Sequence, residues 1–192
     1  MSPEISLRVA RAADSESILA IYAPVVLETF ISFETDVPAI SAMAERIGTT
    51  LENFPWLVAT REGGIVGYAY ASAHRERAAY RWSVDTTVYV AQDARYQGIG
   101  ARLYGSLLGI LRFQGFRSAF AGIALPNPAS VRLHEAAGFE PLGVYTDVGY
   151  KLGAWRSVGW WRLGLTACDG EPSMPVPFRN LIGTDMLSAA TA

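Results

Sequence analysis

The stretch Arg95-Tyr96-Gln97-Gly98-Ile99-Gly100-Ala101-Arg102-Leu103 is the strongest constraint in this chain, because it joins two different periodicities within a few residues. Upstream, Thr87-Val88-Tyr89-Val90 is β-branched and aromatic and predicts a strand; downstream, Ile99, Leu103, Leu107, Ile110 and Leu111 recur at helical spacing. The glycines therefore fall at the N-terminus of an amphipathic helix. There, free backbone N–H groups and the positive end of the helix dipole attract an anion, and glycine lets a bulky phosphate approach the main chain. The turn reads as a pyrophosphate cradle; the alternative is a glycine-rich connection that holds no ligand. Two other phosphate motifs are excluded. A P-loop needs Lys and then Ser or Thr after its last glycine, where Ala101-Arg102 stands, and a dinucleotide fingerprint needs a third small residue, where Leu103 stands.

A chain of 192 residues with 51% hydrophobic and 18% charged residues suits one folded domain, with or without a tail. Its net charge of −2 offers no electrostatic case for nucleic acid or an anionic membrane surface, so any phosphate is held locally. The single cysteine, Cys168, excludes an internal disulfide framework, and His74 and His134 alone supply no metal-ligand cluster. The first residues contain no apolar signal core, and no apolar run approaches membrane-spanning length. The expectation is a soluble cytoplasmic protein without a metal.

In chain order, residues 5–9 predict a strand, and Asp14 reads as the N-cap of a helix carrying Ile18, Ile21, Tyr22 and Val25 that ends or kinks near Ala23, before Pro24. Glu28 to Thr35 reads as a loop with large apolar side chains. Pro38 opens a second helix with Ile40, Met43, Ala44 and Ile47 on one face and Gly48 near its end. Trp56 to Thr60 and Ile65 to Ala71, separated by Arg61-Glu62-Gly63-Gly64, predict a hairpin. Ser72 to Arg81 carries several arginines, either as a solvated loop or as a bidentate site for an anionic group. After the glycine-led helix, Gly115 is its stop, Phe116 to Ile123 a strand, and Leu125-Pro126-Asn127-Pro128 a break before a short helix that closes at Gly138. Gly143 to Thr146, Gly149 to Leu152 and Val158 to Leu163 are strand-like. Pro172, Pro175 and Pro177 suggest an extended tail, so that 1–168 is the domain and residues 170–192 need not join its core. This order predicts an α+β sheet with helices on both sides.

With Arg95-x-x-Gly98-x-Gly100 after a strand and Asn127 before a short helix, the chain resembles the GNAT superfamily of N-acetyltransferases from about Leu7 to Leu165. Ile21-Tyr22, Ser32-Phe33-Glu34, Trp82 to Val90, Pro126 to Glu135 and Lys151 to Val158 are similar, more narrowly, to the phosphinothricin and L-amino acid N-acetyltransferase group. The resemblance implies a mixed, mostly antiparallel sheet, splayed between the strands that admit acetyl-CoA. It implies acetyl-CoA as cosubstrate and a small α-amino acid analogue, phosphinothricin or methionine sulfoximine or sulfone, as acceptor. The pyrophosphate would lie on Gln97, Gly98, Ile99, Gly100 and Ala101, with Arg95 and Tyr96 also binding the cofactor, and the pantetheine arm beside Val88, Tyr89 and Val90, with Asn127 and Ser130 meeting the cofactor from the next loop and helix; Asn127 also reads as a simple N-cap.

N-acetylation requires a neutral amine to attack a thioester and a proton for the departing thiolate. Asp85 is the candidate base, standing where the group usually has glutamate and therefore one methylene shorter; His134 is the candidate proton donor. Acceptor capture falls to Arg75, Glu76 and Arg77, Arg77 being the better clamp, together with Asp85, Thr86 and Thr87; Phe33, Glu34 and Tyr80 would close the pocket, and Trp160 could add to it. Two other functions fit the same residues, acetylation of protein N-termini and a non-catalytic acyl-CoA-binding module. Aromatic strands around Trp155 to Trp161 suggest a homodimer.

Overall fold

The computed structural model describes residues 4–167 and 170–191; Cys168, and with it the expected boundary after residue 168, lies outside them. One sheet contains β1 (Ile5–Val9), β2 (Trp56–Arg61), β3 (Gly64–Ala73), β4 (Ser83–Val90), β5 (Ser118–Leu125), β6 (Glu140–Lys151) and β7 (Ala154–Gly164), in the order β1-β2-β3-β4-β5-β7-β6. Every neighbouring pair is antiparallel except β4 and β5. That parallel pair is in register only at Ser83–Ser118, Val84–Ala119 and Asp85–Phe120. Past Asp85 the two strands splay and leave a V-shaped opening in the middle of the sheet, which is the expected mixed, mostly antiparallel α+β fold.

Side-chain alternation along β2 sorts the two faces. Leu57 and Ala59 enter one core with Ala69, Ala71 and Val84 and with Leu103, Leu107, Ile110 and Leu111 of α3 (Ile99–Gln114). Trp56, Val58 and Tyr68 enter the other with Ile18, Tyr22 and Val26 of α1 (Ser15–Glu28) and Met43 and Ile47 of α2 (Ile40–Asn53). Helices thus cover both faces, and α4 (Pro128–Ala136) follows β5 across the opening.

Several local expectations are corrected. The first helix runs through Pro24 to Glu28. Pro24 lacks the N–H that would bond the Ala20 carbonyl, but Val25 and Val26 are 4% and 1% exposed. Burying two valines is worth about 3–6 kcal/mol, which outweighs a proline cost of about 3 kcal/mol. Likewise, α2 continues past Gly48 to Asn53, because Leu51 beyond it packs on both cores. The two short strands expected around Gly143 and Gly149 are one strand, β6, with an irregular register between Tyr145 and Gly149 and a positive φ of 48° at Asp147. The C-terminal segment belongs to the core: Phe178 is fully buried, Leu181 and Leu187 are buried, and α5 (Asp185–Thr191) packs on α3 and β1. Its prolines stiffen the approach, and these apolar residues anchor it. Gln114 Nε2 ties the segment down by donating to the carbonyls of Val176 at 2.7 Å and Asn53 at 2.9 Å.

Candidate active site

A cavity of about 300 Å³ lies where the free end of β4 meets the N-terminus of α3 and α4. Of the residues expected to hold a cofactor, Val88, Tyr89, Val90, Arg95, Tyr96, Gly98, Ile99, Gly100, Ala101, Asn127 and Ser130 all line it. Gln97 does not: its side chain accepts from Arg61 Nη1 at 2.9 Å and donates to the Asp93 carbonyl at 3.1 Å. Val25 and Ile31 complete the wall and were not expected, because neither belongs to the glycine-turn stretch.

The turn explains its own residues. Gly98 sits at φ +78°, a conformation costly for any residue with a Cβ, and the space a Cβ would take there is open. A Cβ on Gly100 would lie 3.1 Å from Leu133 Cδ2, so that glycine lets α3 approach α4. The first helical hydrogen bond runs from Arg102 N to the Gly98 carbonyl. The N–H groups of Ile99, Gly100 and Ala101 precede it at the positive end of the helix dipole. Asn127 is an N-cap, its Oδ1 accepting from Ser130 N at 3.2 Å, and it lines the cavity as well.

His134, on α4, is 4% exposed and does not line this cavity. The Ser130 carbonyl, 2.7 Å from Nδ1, can only accept, so the proton is on Nδ1. Nε2 then accepts from the Tyr104 hydroxyl at 2.7 Å. Burial pushes the imidazole below its ordinary pKa, with the Ser130 carbonyl opposing, so the neutral ring has no Nε2 proton to give. Tyr104, which sequence reasoning missed, stands 3.5 Å from Thr86 Oγ1 at the start of the splay, and burial raises its pKa strongly.

On the other face of β4, Asp85 occupies the last paired position before the splay. His74, just past the end of β3, donates from Nδ1 to Asp85 Oδ1 at 2.6 Å. Its ring stacks on Phe120 with centroids 4.2 Å apart and meets the edges of Tyr80 and Trp160 at 6.0 Å. Burial raises the Asp85 pKa, outweighing the hydrogen bond from His74 and the charges of His74 and Arg75. His74 was missed as a partner of Asp85; the signal was the hairpin register that sets Ser72 opposite Asp85.

The expected acceptor residues divide into separate groups. Thr87 lies opposite Tyr70 on the Asp85 face, whereas Thr86 points the other way and donates to the Phe120 carbonyl at 3.2 Å. Arg75, Glu76, Arg77 and Tyr80 line a cavity of about 260 Å³ beneath Met174, Pro175 and Val176. Of these, Arg75 and Tyr80 also reach the Asp85 side, Arg75 lying 5.7 Å over the Trp160 ring and Tyr80 meeting the His74 ring. Glu34 Oε1 accepts from Arg46 at 2.6 Å, while its Oε2 is buried without a partner among the described residues. Glu34 lines a cavity of about 460 Å³ with Tyr22, Trp56, Tyr68 and Tyr70. Phe33 covers Gly149, where a Cβ would have no room, and Lys151 Nζ donates to the Ser32 and Glu34 carbonyls at 2.6 and 2.7 Å. Among the described residues, no group of three or more His, Cys, Asp or Glu could hold a metal ion, and no helix is long and apolar enough to cross a membrane.

Residues 7–160 match the acetyltransferase (GNAT) domain. The phosphinothricin N-acetyltransferase of Streptomyces viridochromogenes is 37% identical over 182 residues, covering 93% of this chain and 97% of the relative. The L-methionine sulfoximine/L-methionine sulfone acetyltransferase of Pseudomonas aeruginosa is 34% identical, covering 87% and 98%. The crystal structure of a phosphinothricin acetyltransferase from Sinorhizobium meliloti, in complex with AcCoA, superposes with a TM-score of 0.85 at 38% identity, covering 88% of this chain and 93% of that one. The splayed sheet, the glycine-led helix and these relatives agree: the chain belongs to the GNAT acetyltransferases.

Proposed function

We propose that this enzyme transfers the acetyl group of acetyl-CoA to the α-amine of a small amino acid analogue of the phosphinothricin or methionine sulfoximine/sulfone type, by direct attack. The observation that carries this reading is the splay itself: the strand that leads to the glycine turn carries a carboxylate, Asp85, at its last residue paired with β5. The N–H groups of Ile99, Gly100 and Ala101 would hold the pyrophosphate, and Val88 to Val90 would pair with the pantetheine amides like an added strand. Asn127 and Ser130 would meet the cofactor from α4. Asp85 belongs to the group that takes the proton from the acceptor ammonium, so that the amine attacks the thioester carbonyl and the C–S bond breaks. Arg75 is the better placed guanidinium for the acceptor's anionic group, in place of Arg77. His134, engaged at both nitrogens, serves as a positioning residue for Tyr104 in place of the expected proton donor.

A homodimer is part of the same proposal. Leu142, Val144, Val148, Tyr150, Leu152 and Trp155 on β6, β7 and the turn between them are all more than half exposed, while Trp161 is buried in the core. A mass of two chains by analytical ultracentrifugation is expected, and a monomer at micromolar concentration would refute it. Dependence on acetyl-CoA supports a cytoplasmic location. The function is tested by thiol release from acetyl-CoA across amino acids, these analogues and short peptides. Release with the analogues and not with peptides is expected; release with peptides alone would overturn the reading.

A further inference from the structure

We propose that His74 is a catalytic residue of this site, its Nε2 receiving the acceptor's proton while Asp85 holds the ring through Nδ1. The inference deepens the reading above and rests on it. The ring is fixed by one short hydrogen bond, Nδ1 to Asp85 Oδ1 at 2.6 Å, and by stacking on Phe120 at 4.2 Å. Nε2 has no partner among the described residues and is not a buried orphan, so it is the open end of the pair. His74 lines a cavity of about 260 Å³ with Arg75, Tyr145 and Trp160. Asp85 lines neither that cavity nor the one at the glycine turn.

Trp160 Nε1, beside the same ring, is buried and unpartnered among the described residues, which leaves a donor for an acceptor oxygen. An aspartate that lines neither cavity is thereby extended by a hydrogen bond and the width of an imidazole, the arrangement in which a carboxylate fixes tautomer and orientation for a histidine base.

The proton count closes. The ammonium gives one proton to Nε2, the amine nitrogen forms its bond to the acetyl carbon, the C–S bond breaks, and the nitrogen's surplus proton goes to the thiolate sulfur. His74 then releases its proton to water. Charges facing the ring are those of Asp85 and Arg75; Tyr80 and Tyr145 are the other titratable neighbours.

The test is the pH dependence of kcat for the wild type, His74→Asn and Asp85→Asn, each checked for acetyl-CoA affinity by calorimetry and for thermal unfolding. His74→Asn keeps an N–H donor for Asp85 and removes the base. It is expected to lower kcat about 100-fold at pH 7, within the range general bases contribute, and to abolish the acid limb of the kcat profile. Acetyl-CoA affinity should stay within about three-fold, and added imidazole should restore turnover to His74→Ala. Asp85→Asn is expected to keep that limb at reduced kcat. If His74→Asn retains kcat within two-fold and the limb, while Asp85→Asn does not, the inference falls and Asp85 alone is the base. If neither variant changes kcat, the assignment of proton transfer to Asp85 falls with it.

Discussion

Lys151→Met removes a single ammonium that staples the loop of Phe33 and Glu34 to β6. Lys151 is 7% exposed, and its Nζ donates to the carbonyls of Ser32 at 2.6 Å and Glu34 at 2.7 Å, on either side of the Phe33 ring that covers Gly149. Methionine preserves the packed stem and leaves two carbonyls without a donor. Hydrogen bonds to a charged group are worth about 1.5–3 kcal/mol each, so two sum to about 3–6 kcal/mol. Removing the lysine also removes the cost of burying its charge, which leaves a net loss of about 2–4 kcal/mol. For a chain of this size that is about 5–15 °C in Tm. Thermal unfolding measures the loss, and steady-state kinetics locate it. The acceptor KM should rise at least ten-fold, because Glu34 and Phe33 lose their anchor, while acetyl-CoA affinity should move less than three-fold. A Tm shift below 2 °C with an unchanged acceptor KM would refute the claim that this lysine orders the loop.

Other perturbations test other parts of the structure. Gly98→Ala forces a Cβ into a residue at φ +78°; it should cost about 1–2 kcal/mol of stability and weaken acetyl-CoA binding more than ten-fold by calorimetry, since that Cβ would enter the open space of the proposed pyrophosphate site. Asp14→Asn should cost about 1–2 kcal/mol at pH 7, measured by urea unfolding, because Asp14 accepts from Arg8 at 2.7 and 2.8 Å and from Arg11 N at 2.8 Å. Those contacts, that of Arg8 first, hold its pKa below the ordinary value. The contribution is therefore complete above the unfolded value of about 3.9 and is lost as pH falls through the lower folded value, where the two proteins should converge. Burial depresses the His134 pKa, so the unfolded chain binds more protons below about pH 6.5. Wild-type stability should accordingly decline from there downward more steeply than that of His134→Phe.

The residues around the glycine turn were legible because one contiguous stretch contains a strand, a turn and a helix, each with its own periodicity. Local chemistry decides such a segment, and the cavity lining followed its sequence order, apart from Gln97, whose side chain is taken by Arg61 and Asp93. Contacts that depend on register or on packing between distant elements were not legible. His74 and Asp85 meet only because β3 and β4 pair Ser72 with Asp85, and Tyr104 meets His134 only because α3 and α4 pack where Gly100 allows it. Pro24 and the C-terminal prolines misled for a related reason: local propensity argues for a break, and the burial of Val25, Val26 and Phe178 overrides it.

The most direct measurement of the central claim is mass-spectrometric identification of the product formed from acetyl-CoA and methionine sulfoximine or phosphinothricin, with free thiol counted in parallel. One N-acetylated acceptor for each thiol released is the expected result, falling at least 100-fold in initial rate with Asp85→Asn while acetyl-CoA still binds. Thiol release without an acetylated amino acid analogue, or acetylated product formed equally fast by Asp85→Asn, would contradict the account.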